Sequence, residues 1–410
     1  MKKFYQLNRV DRLKELVKKG LITDELFLIN ENLTDDQLAI FTENTVGQFH
    51  LPLGLVNGLK VNGKSYLIPI ATFEPSVVAA LNKATHYVNS GEGIIVTGEK
   101  LPVTGQIFTS YHGDPKEINQ KLAENKSFLT DQGNFAVSHL VERGGGITNI
   151  KFEFEHNVLI SSVEVDVKEA MGANLVDTIV ERLAPLIAET VQGEVISAIL
   201  SNLPTGTPFK AQAKVPINLI GIDTAKKIVQ LAQIATFNNA RAATNNKGVM
   251  NGLIGAVIAS GNDDRAVSSA LYHGQNLGKD RSFTHWRVSK TDLIGEFSGY
   301  LPLGTVGGAI TTHPDAIKGM KLLNVKNSTE LAHVFMAVGL ASNFSALFAL
   351  VTDGIQKGHM RLQAKSIALS MGVKPQDLQD VVNQMVTLNK FDTLTVQKIM
   401  ESRNNNDRNK

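Results

Sequence analysis

Arg241-Ala-Ala-Thr-Asn-Asn-Lys247-Gly-Val-Met-Asn-Gly252 runs into Leu253-Ile-Gly-Ala-Val-Ile-Ala-Ser260 and then Gly261-Asn-Asp-Asp-Arg-Ala-Val267. The stretch sets a lysine and an acidic pair on either side of an apolar run. Lys247 is expected in a polar turn, where Gly248, lacking a Cβ, lets backbone come close to a ligand. The run 253–260 is apolar and β-branched, which predicts a central strand. Asn262 or Asp263 then caps a helix carrying Ala266, Val267, Ala270 and Leu271. Each charged residue also has an ordinary explanation, Lys247 as a solvated loop lysine and Asp263 as a plain N-cap. Spacing alone does not separate these from a catalytic role.

The chain before this stretch reads as a strand at Phe209-Lys-Ala-Gln-Ala-Lys-Val-Pro-Ile and a helix from Thr224 to Asn238, which concentrates Arg241, Lys247 and Asn251 on one connection. After it, Gly295-Glu-Phe-Ser-Gly-Tyr begins a strand and a glycine-rich turn, and Ser328 to Val351 reads as one or two buried helices with Asn343 in the most apolar part. The uncharged run Val334–Thr352 approaches membrane-span length, but Gly339, Ser342, Asn343 and Ser345 interrupt it, so a buried core helix is expected. Nearer the N-terminus, Leu13, Leu16 and Val17 share one face of an amphipathic helix that stops at Gly20. Asn62-Gly63 marks a hairpin, and Glu74 precedes Pro75 at the start of an apolar helix, where a carboxylate has a structural reason to sit as well as a catalytic one.

Between residues 104 and 203 the pattern changes. A strand at Gly105–Tyr111, a charged helix at Asp114–Lys126, two strands joined across His156-Asn157, an amphipathic helix at Ala173–Val191 and a strand from Val195 give the order β-α-β-β-α-β, the ferredoxin-like arrangement. This segment also holds Gly144-Gly145-Gly146 and Glu169-Ala-Met171-Gly172-Ala-Asn174. The second lies where a strand hands over to a helix, a place that offers free N–H groups to a phosphate. Gly-x-Gly-x-x-Gly occurs nowhere, which removes support for a Rossmann domain. The expected fold is therefore α+β: a large α/β domain (1–103 and 204–353), a small ferredoxin-like insert (104–203) and a C-terminal helical flap (354–410), with a disordered polar tail from Asn404.

Composition narrows the chemistry. The 410 residues carry 41 basic and 39 acidic side chains, net +2, interspersed, so no footprint for nucleic acid or an anionic membrane is expected. Cysteine is absent, which excludes disulfides, thiolate metal sites and cysteine nucleophiles. The N-terminus lacks an apolar segment of signal-peptide length, so a cytoplasmic location is expected. Nothing suggests a metal site.

Five motifs together carry a resemblance: Glu74-Pro-Ser-Val-Val-Ala-Ala, Glu169-Ala-Met-Gly-Ala-Asn, the Arg241–Gly252 stretch, Gly261-Asn-Asp-Asp-Arg-Ala and Gly358-His-Met. In this order they closely resemble 3-hydroxy-3-methylglutaryl-CoA (HMG-CoA) reductase of the soluble bacterial, class II type. Glu43-Asn-Thr-Val-Gly, Arg143-Gly-Gly-Gly, Ile199-Leu-Ser-Asn and Val338-Gly-Leu-Ala-Ser-Asn extend the match across nearly the whole chain. The resemblance implies reduction of HMG-CoA to mevalonate and free CoA by two NAD(P)H in the mevalonate pathway of isoprenoid synthesis. It also implies a small dinucleotide-binding domain and a homodimer with active sites at the interface.

By the same resemblance Lys247 stabilises the developing oxyanion, Glu74 donates a proton in the aldehyde step, Asp263 holds both, and His359 protonates the departing CoA thiolate when the flap closes. Ser76, Asn202, Arg241, Asn251 and Asn343 match substrate-binding positions; Gly144, Gly145, Gly146, Glu169, Met171, Gly172 and Asn174 match cofactor-binding ones. Phe73, Asn245 and Ser342 depart from the family, standing where a glutamate, a histidine and a glutamine are usual. Val137 falls, by counting, where NAD-preferring members carry an aspartate, which favours NADPH, with NADH as the alternative. Two other readings stay open: the same enzyme run oxidatively in mevalonate catabolism, and a relative that binds CoA thioesters without turnover.

Overall fold

Asn62 and Gly63, with φ of +48° and +80°, turn the chain between β1 (Leu53–Val61) and β2 (Lys64–Ala71), which pair antiparallel from Val61↔Lys64 to Leu53↔Ala71. Positive φ at both turn residues matches the twist of a two-residue hairpin, which is why Asn-Gly marks one. These strands open a six-stranded sheet of order β2-β1-β3-β8-β10-β9, completed by β3 (Ile94–Thr97), β8 (Phe209–Pro216), β9 (Thr284–Val288) and β10 (Asp292–Gly299). The structure, a computed structural model, describes residues 7, 9–21, 33–44, 48–203, 206–276, 281–352, 354 and 364–408.

β8 alternates strictly: Phe209, Ala211, Ala213 and Val215 are buried, and Lys210, Gln212 and Lys214 take the other face. Against the buried side of the large sheet lie three long helices, Pro75–Asn89, Asn239–Ala259 and Ser328–Val351. The last is long and apolar enough to cross a membrane by composition, yet Leu331 and Val334–Leu340 are buried within the largest core.

The second sheet has four strands, β4 (Val103–Ser110), β5 (Gly146–Glu155), β6 (Val158–Asp166) and β7 (Val195–Leu200), in the order β5-β6-β4-β7 with every neighbour antiparallel. That is the ferredoxin-like order. Three helices follow β4, at Pro115–Glu124, Lys126–Phe135 and Ser138–Glu142, where one was expected to end at Lys126. The helix Ala173–Thr190 buries Val176, Ile179, Val180, Leu183 and Ile187 in this sheet's own core. Gly105 permits the contact, since a Cβ there would stand 2.5 Å from Val180. A third, separate core joins Ala364, Ala368, Val381, Val382, Met385 and Val396.

Two expectations fail here. The run 253–260 is not a strand: Asn239–Ala259 is one 21-residue helix, and Lys247 stands inside it rather than in a turn. The helix is enclosed by its neighbours on several sides, so apolar residues surround it and the period of an amphipathic helix disappears. Its glycines point to the same cause. A Cβ on Gly252 would lie 2.8 Å from Leu81, and one on Gly255 2.6 Å from Ile70. The tail is the second failure: the helix beginning at Thr393 continues to Arg408 despite its polar composition.

Candidate active site

Glu74 is the residue at which β2 hands over to the helix Pro75–Asn89. Its N–H donates to Thr72 Oγ1 at 3.1 Å, and Pro75 supplies the fixed φ of a first helical position. Glu74 occupies the N-cap position without bonding the helix through its side chain, which leaves the carboxylate available. It meets Lys247, whose Nζ lies 3.4 Å from Glu74 Oε2. The lysine side chain is 62% exposed and the glutamate 38%, so the pair is open and loosely held. Such a contact contributes about 0–1 kcal/mol to stability. Asn251 follows Lys247 by one turn on the same side of its helix, and Ser76 lies in the first turn after Glu74.

Arg241 begins the same helix, which is capped by Asn238 Oδ1 accepting the Arg241 N–H. Its guanidinium is half-buried, and burial lowers its pKa. Nη2 donates to Asn245 Oδ1 at 3.4 Å, while Nε is buried with no hydrogen-bond partner. Among the described residues no carboxylate pairs with it. A cation kept in this condition is matched to an incoming anion, and the guanidinium fork suits two carboxylate oxygens.

Asn343, expected to touch substrate, is spent inside the protein. Its Oδ1 accepts from Thr284 Oγ1 at 2.9 Å and Trp286 Nε1 at 2.8 Å, and its Nδ2 donates to Asn245 O and Oδ1. These fill every bond an amide side chain can make. Asn245 completes the network by donating to Ser282 Oγ and Thr284 Oγ1. Sequence reading missed this pairing, because a buried asparagine carries no signal of its partners. Ser342 Oγ accepts from Gly252 N–H and donates to Gly248 O, the two ends of one rung of the lysine helix. Both departures from the family pattern are thus fully accommodated. Phe73 is exposed and packs edge-on against Phe49, ring centroids 5.4 Å apart.

Asp263 caps the helix Asp264–Asn276, accepting N–H bonds from Arg265 and Ala266, and pairs with the Arg265 side chain at 3.3 Å. Burial opposes its charge, but Arg265 and the two N–H groups outweigh burial and hold the carboxyl below its usual range. These partners, not Lys247, are the ones it has here. His359 lies outside the described residues.

The junction between β6 and the helix Ala173–Thr190 was expected to hold a dinucleotide. Gly172, φ +106°, precedes a helix whose N-terminus has neither a side-chain cap nor an acid in its first turn. A Cβ on Gly172 would lie 2.7 Å from Val167, and one on Gly145 2.6 Å from Asp166 O. Gly144 and Gly146 also have positive φ. The N–H groups at the start of this helix suit a pyrophosphate. One oxygen of the Glu169 carboxylate, Oε2, accepts from Thr305 Oγ1 at 2.8 Å and Ser328 N–H at 2.6 Å and so ties the junction to the core helix Ser328–Val351. Asn174 is exposed in the first turn. Met171 and Asn202 line one shallow cleft open to solvent, whose other walls include Lys100, Thr104 and Tyr300. Val137 is only 7% exposed and belongs to the small core, so its lack of charge says nothing about a ribose.

A chain that sets an exposed lysine against a glutamate and, among its described residues, leaves an arginine of the same helix without a carboxylate has the groups to bind and polarise an anionic substrate. It is an enzyme. Comparison with known proteins gives the particular kind. Residues 8–364 match the hydroxymethylglutaryl-coenzyme A reductase family. The 3-hydroxy-3-methylglutaryl-coenzyme A reductase of Archaeoglobus fulgidus is 35% identical over 391 residues, 93% of this chain and 90% of that protein. A probable reductase of the same name from Borreliella burgdorferi is 34% identical over 348 residues, 82% of this chain and 79% of that one. The solved reductase of Streptococcus pneumoniae is 33% identical and superposes with a TM-score of 0.82 over 97% of this chain and 98% of its own. A class II structure from the same organism, bound to NADPH in open conformations, gives 0.81 at 32% identity over 85% of this chain and 99% of its own. The chain belongs to the hydroxymethylglutaryl-coenzyme A reductase family and is an oxidoreductase.

Proposed function

We propose that this protein reduces HMG-CoA to mevalonate and CoA with NADPH, serving isoprenoid synthesis in the cytoplasm. The observation that carries the proposal is the contact of Lys247 with Glu74 in a chain of this family. NADPH, named for a class II relative, supplies two hydrides in succession when bound. The N-terminus of Ala173–Thr190, with Gly172 before it and Gly144, Gly145 and Gly146 on the neighbouring loop, would hold its phosphates, and 104–203 would be the dinucleotide domain. Residues 1–103 and 204–353 form the substrate domain, and 354–410 the flap.

Arg241 takes the free carboxylate of the substrate, its unbonded Nε supplying one arm of the fork. Ser76, Asn251 and Asn202 complete the binding of the polar substrate groups. The thioester carbonyl oxygen lies on Lys247. When hydride reaches the carbonyl carbon, that oxygen becomes an anion, and the exposed ammonium stabilises it more than it stabilised the carbonyl. The C–S bond then breaks; the CoA sulfur leaves with its electron pair and takes a proton from His359. The aldehyde stays on Lys247, and the second hydride makes an alkoxide that Glu74 protonates. Asp263 acts at one remove, fixing the loop after the lysine helix.

Val195, Ile196 and Ile199 are exposed on β7, an edge strand. An apolar edge of this kind suits cover by a second copy, which supports a homodimer. The test is direct: purified protein given HMG-CoA and either NADPH or NADH should form mevalonate, faster with NADPH. Absence of mevalonate with both cofactors would end the proposal.

A further inference from the structure

Lys100 lies in the short link between β3 and β4, the first crossing from the large sheet to the small one. Its Nζ donates to Lys168 O at 2.6 Å and to Ala170 O at 2.5 Å, the carbonyls on either side of Glu169. From the opposite direction, Thr305 N–H donates to Glu169 O at 2.8 Å, Thr305 Oγ1 and Ser328 N–H take the Glu169 carboxylate, and Ala170 bridges to Val306. The junction backbone is therefore gripped from both sides. It needs the grip: Lys168 adopts φ +50°, a left-handed conformation that a non-glycine residue keeps only when its surroundings impose it. A half-buried lysine cation bonded to two backbone carbonyls is an uncommon arrangement. Burial pushes the Lys100 ammonium down to about 8, with Glu169 and then Asp166 pulling back the other way.

We propose that Lys100 is a positioning residue for the dinucleotide: by bonding the carbonyls of Lys168 and Ala170 it fixes the strand-to-helix junction, so that Gly172 and the N-terminus of Ala173–Thr190 meet the phosphates in one geometry. This rests on the junction being the cofactor site. A phosphate bound by backbone N–H groups has no side chain to follow it if the backbone drifts, so affinity depends on what holds that backbone. Lys100 and Met171 line the same cleft, which brings the clamp to the edge of the site it serves.

The test uses the full-length protein, with NADPH titrated by its own fluorescence, and measures Lys100→Met, which keeps the stem and loses the donors, and Lys100→Arg, which keeps donors and charge. Lys100→Met should raise the Kd for NADPH about tenfold while the KM for HMG-CoA changes less than twofold and the Tm stays within a few degrees. Lys100→Arg should recover most of the affinity. Kd within twofold of wild type in Lys100→Met would overturn the inference. So would parallel losses in Kd, KM and Tm, the mark of a general packing role. If Lys100→Met does not fold, Lys100→Gln takes its place with the same expected split. Wild-type protein that binds neither NADPH nor NADH would overturn the cofactor reading as well, an outcome distinct from tight wild-type binding that the variant shares.

Discussion

One helix, Asn239–Ala259, carries two regions built on opposite terms. Around Asn245 the side chains of Asn343, Thr284, Trp286 and Ser282 are buried and bonded to one another. Two residues further on, Lys247 faces solvent and holds Glu74 at 3.4 Å, while Arg241 at the helix start keeps a buried Nε without a partner. Bonds saturated within the fold set positions; bonds left open are available to a substrate. Reactivity and rigidity are thus divided along a single element, and each half fails differently when altered.

The largest expected effect is at the open half. Lys247→Ala should lower kcat by about 10³-fold, the loss of a main oxyanion partner, with little change in Tm because the exposed pair adds under about 1 kcal/mol. Asn343→Ala should do the reverse. Trp286 Nε1 and Thr284 Oγ1 would lose their common acceptor in buried surroundings, at a cost of about 2–4 kcal/mol in urea unfolding, and turnover of the remaining folded protein should stay within tenfold. Arg241→Gln comes next, keeping a hydrogen-bonding side chain but removing the charge. It should raise the KM for HMG-CoA about thirtyfold, roughly 2 kcal/mol, with a smaller change in kcat.

The smallest effect concerns pH. Lys100 has a folded pKa of about 8 against 10.5 for a free lysine, so between those values the unfolded chain holds a proton that the folded chain has released. Stability from this group must then rise as pH climbs through that window, and below about pH 8 the contribution is absent. The full gain is roughly 3 kcal/mol at most. Wild-type stability minus that of Lys100→Met, followed by urea unfolding, should increase from pH 8 to pH 10; a flat difference would mean that burial does not hold the ammonium down.

The two halves also differ in how far the sequence disclosed them. Strict alternation exposed β8, Asn62-Gly63 exposed the first hairpin, and the spacing between residues 104 and 203 exposed a strand order that the sheet reproduces. Those signals survive because each element keeps one face in water. Over 253–259 the lysine helix meets water only at Ile254 and Ile258, both apolar, so its pattern read as a strand. Glu74, Lys247 and Arg241 were legible as a group because whole motifs surround them. The destination of Glu169 was not, since its motif marks the junction but not which side chain turns inward to meet Thr305 and Ser328. Lys100 had no signal at all: a lone lysine in a Gly98-Glu-Lys-Leu-Pro link looks solvated until the chain folds over it.

The most direct measurement is to count NADPH oxidised per CoA released when HMG-CoA is added to the wild-type protein. Two NADPH per CoA, with mevalonate as product, is the result predicted for a site where Lys247 holds the aldehyde for a second reduction. One NADPH per CoA with free aldehyde accumulating, or CoA released without NADPH oxidation, would contradict it.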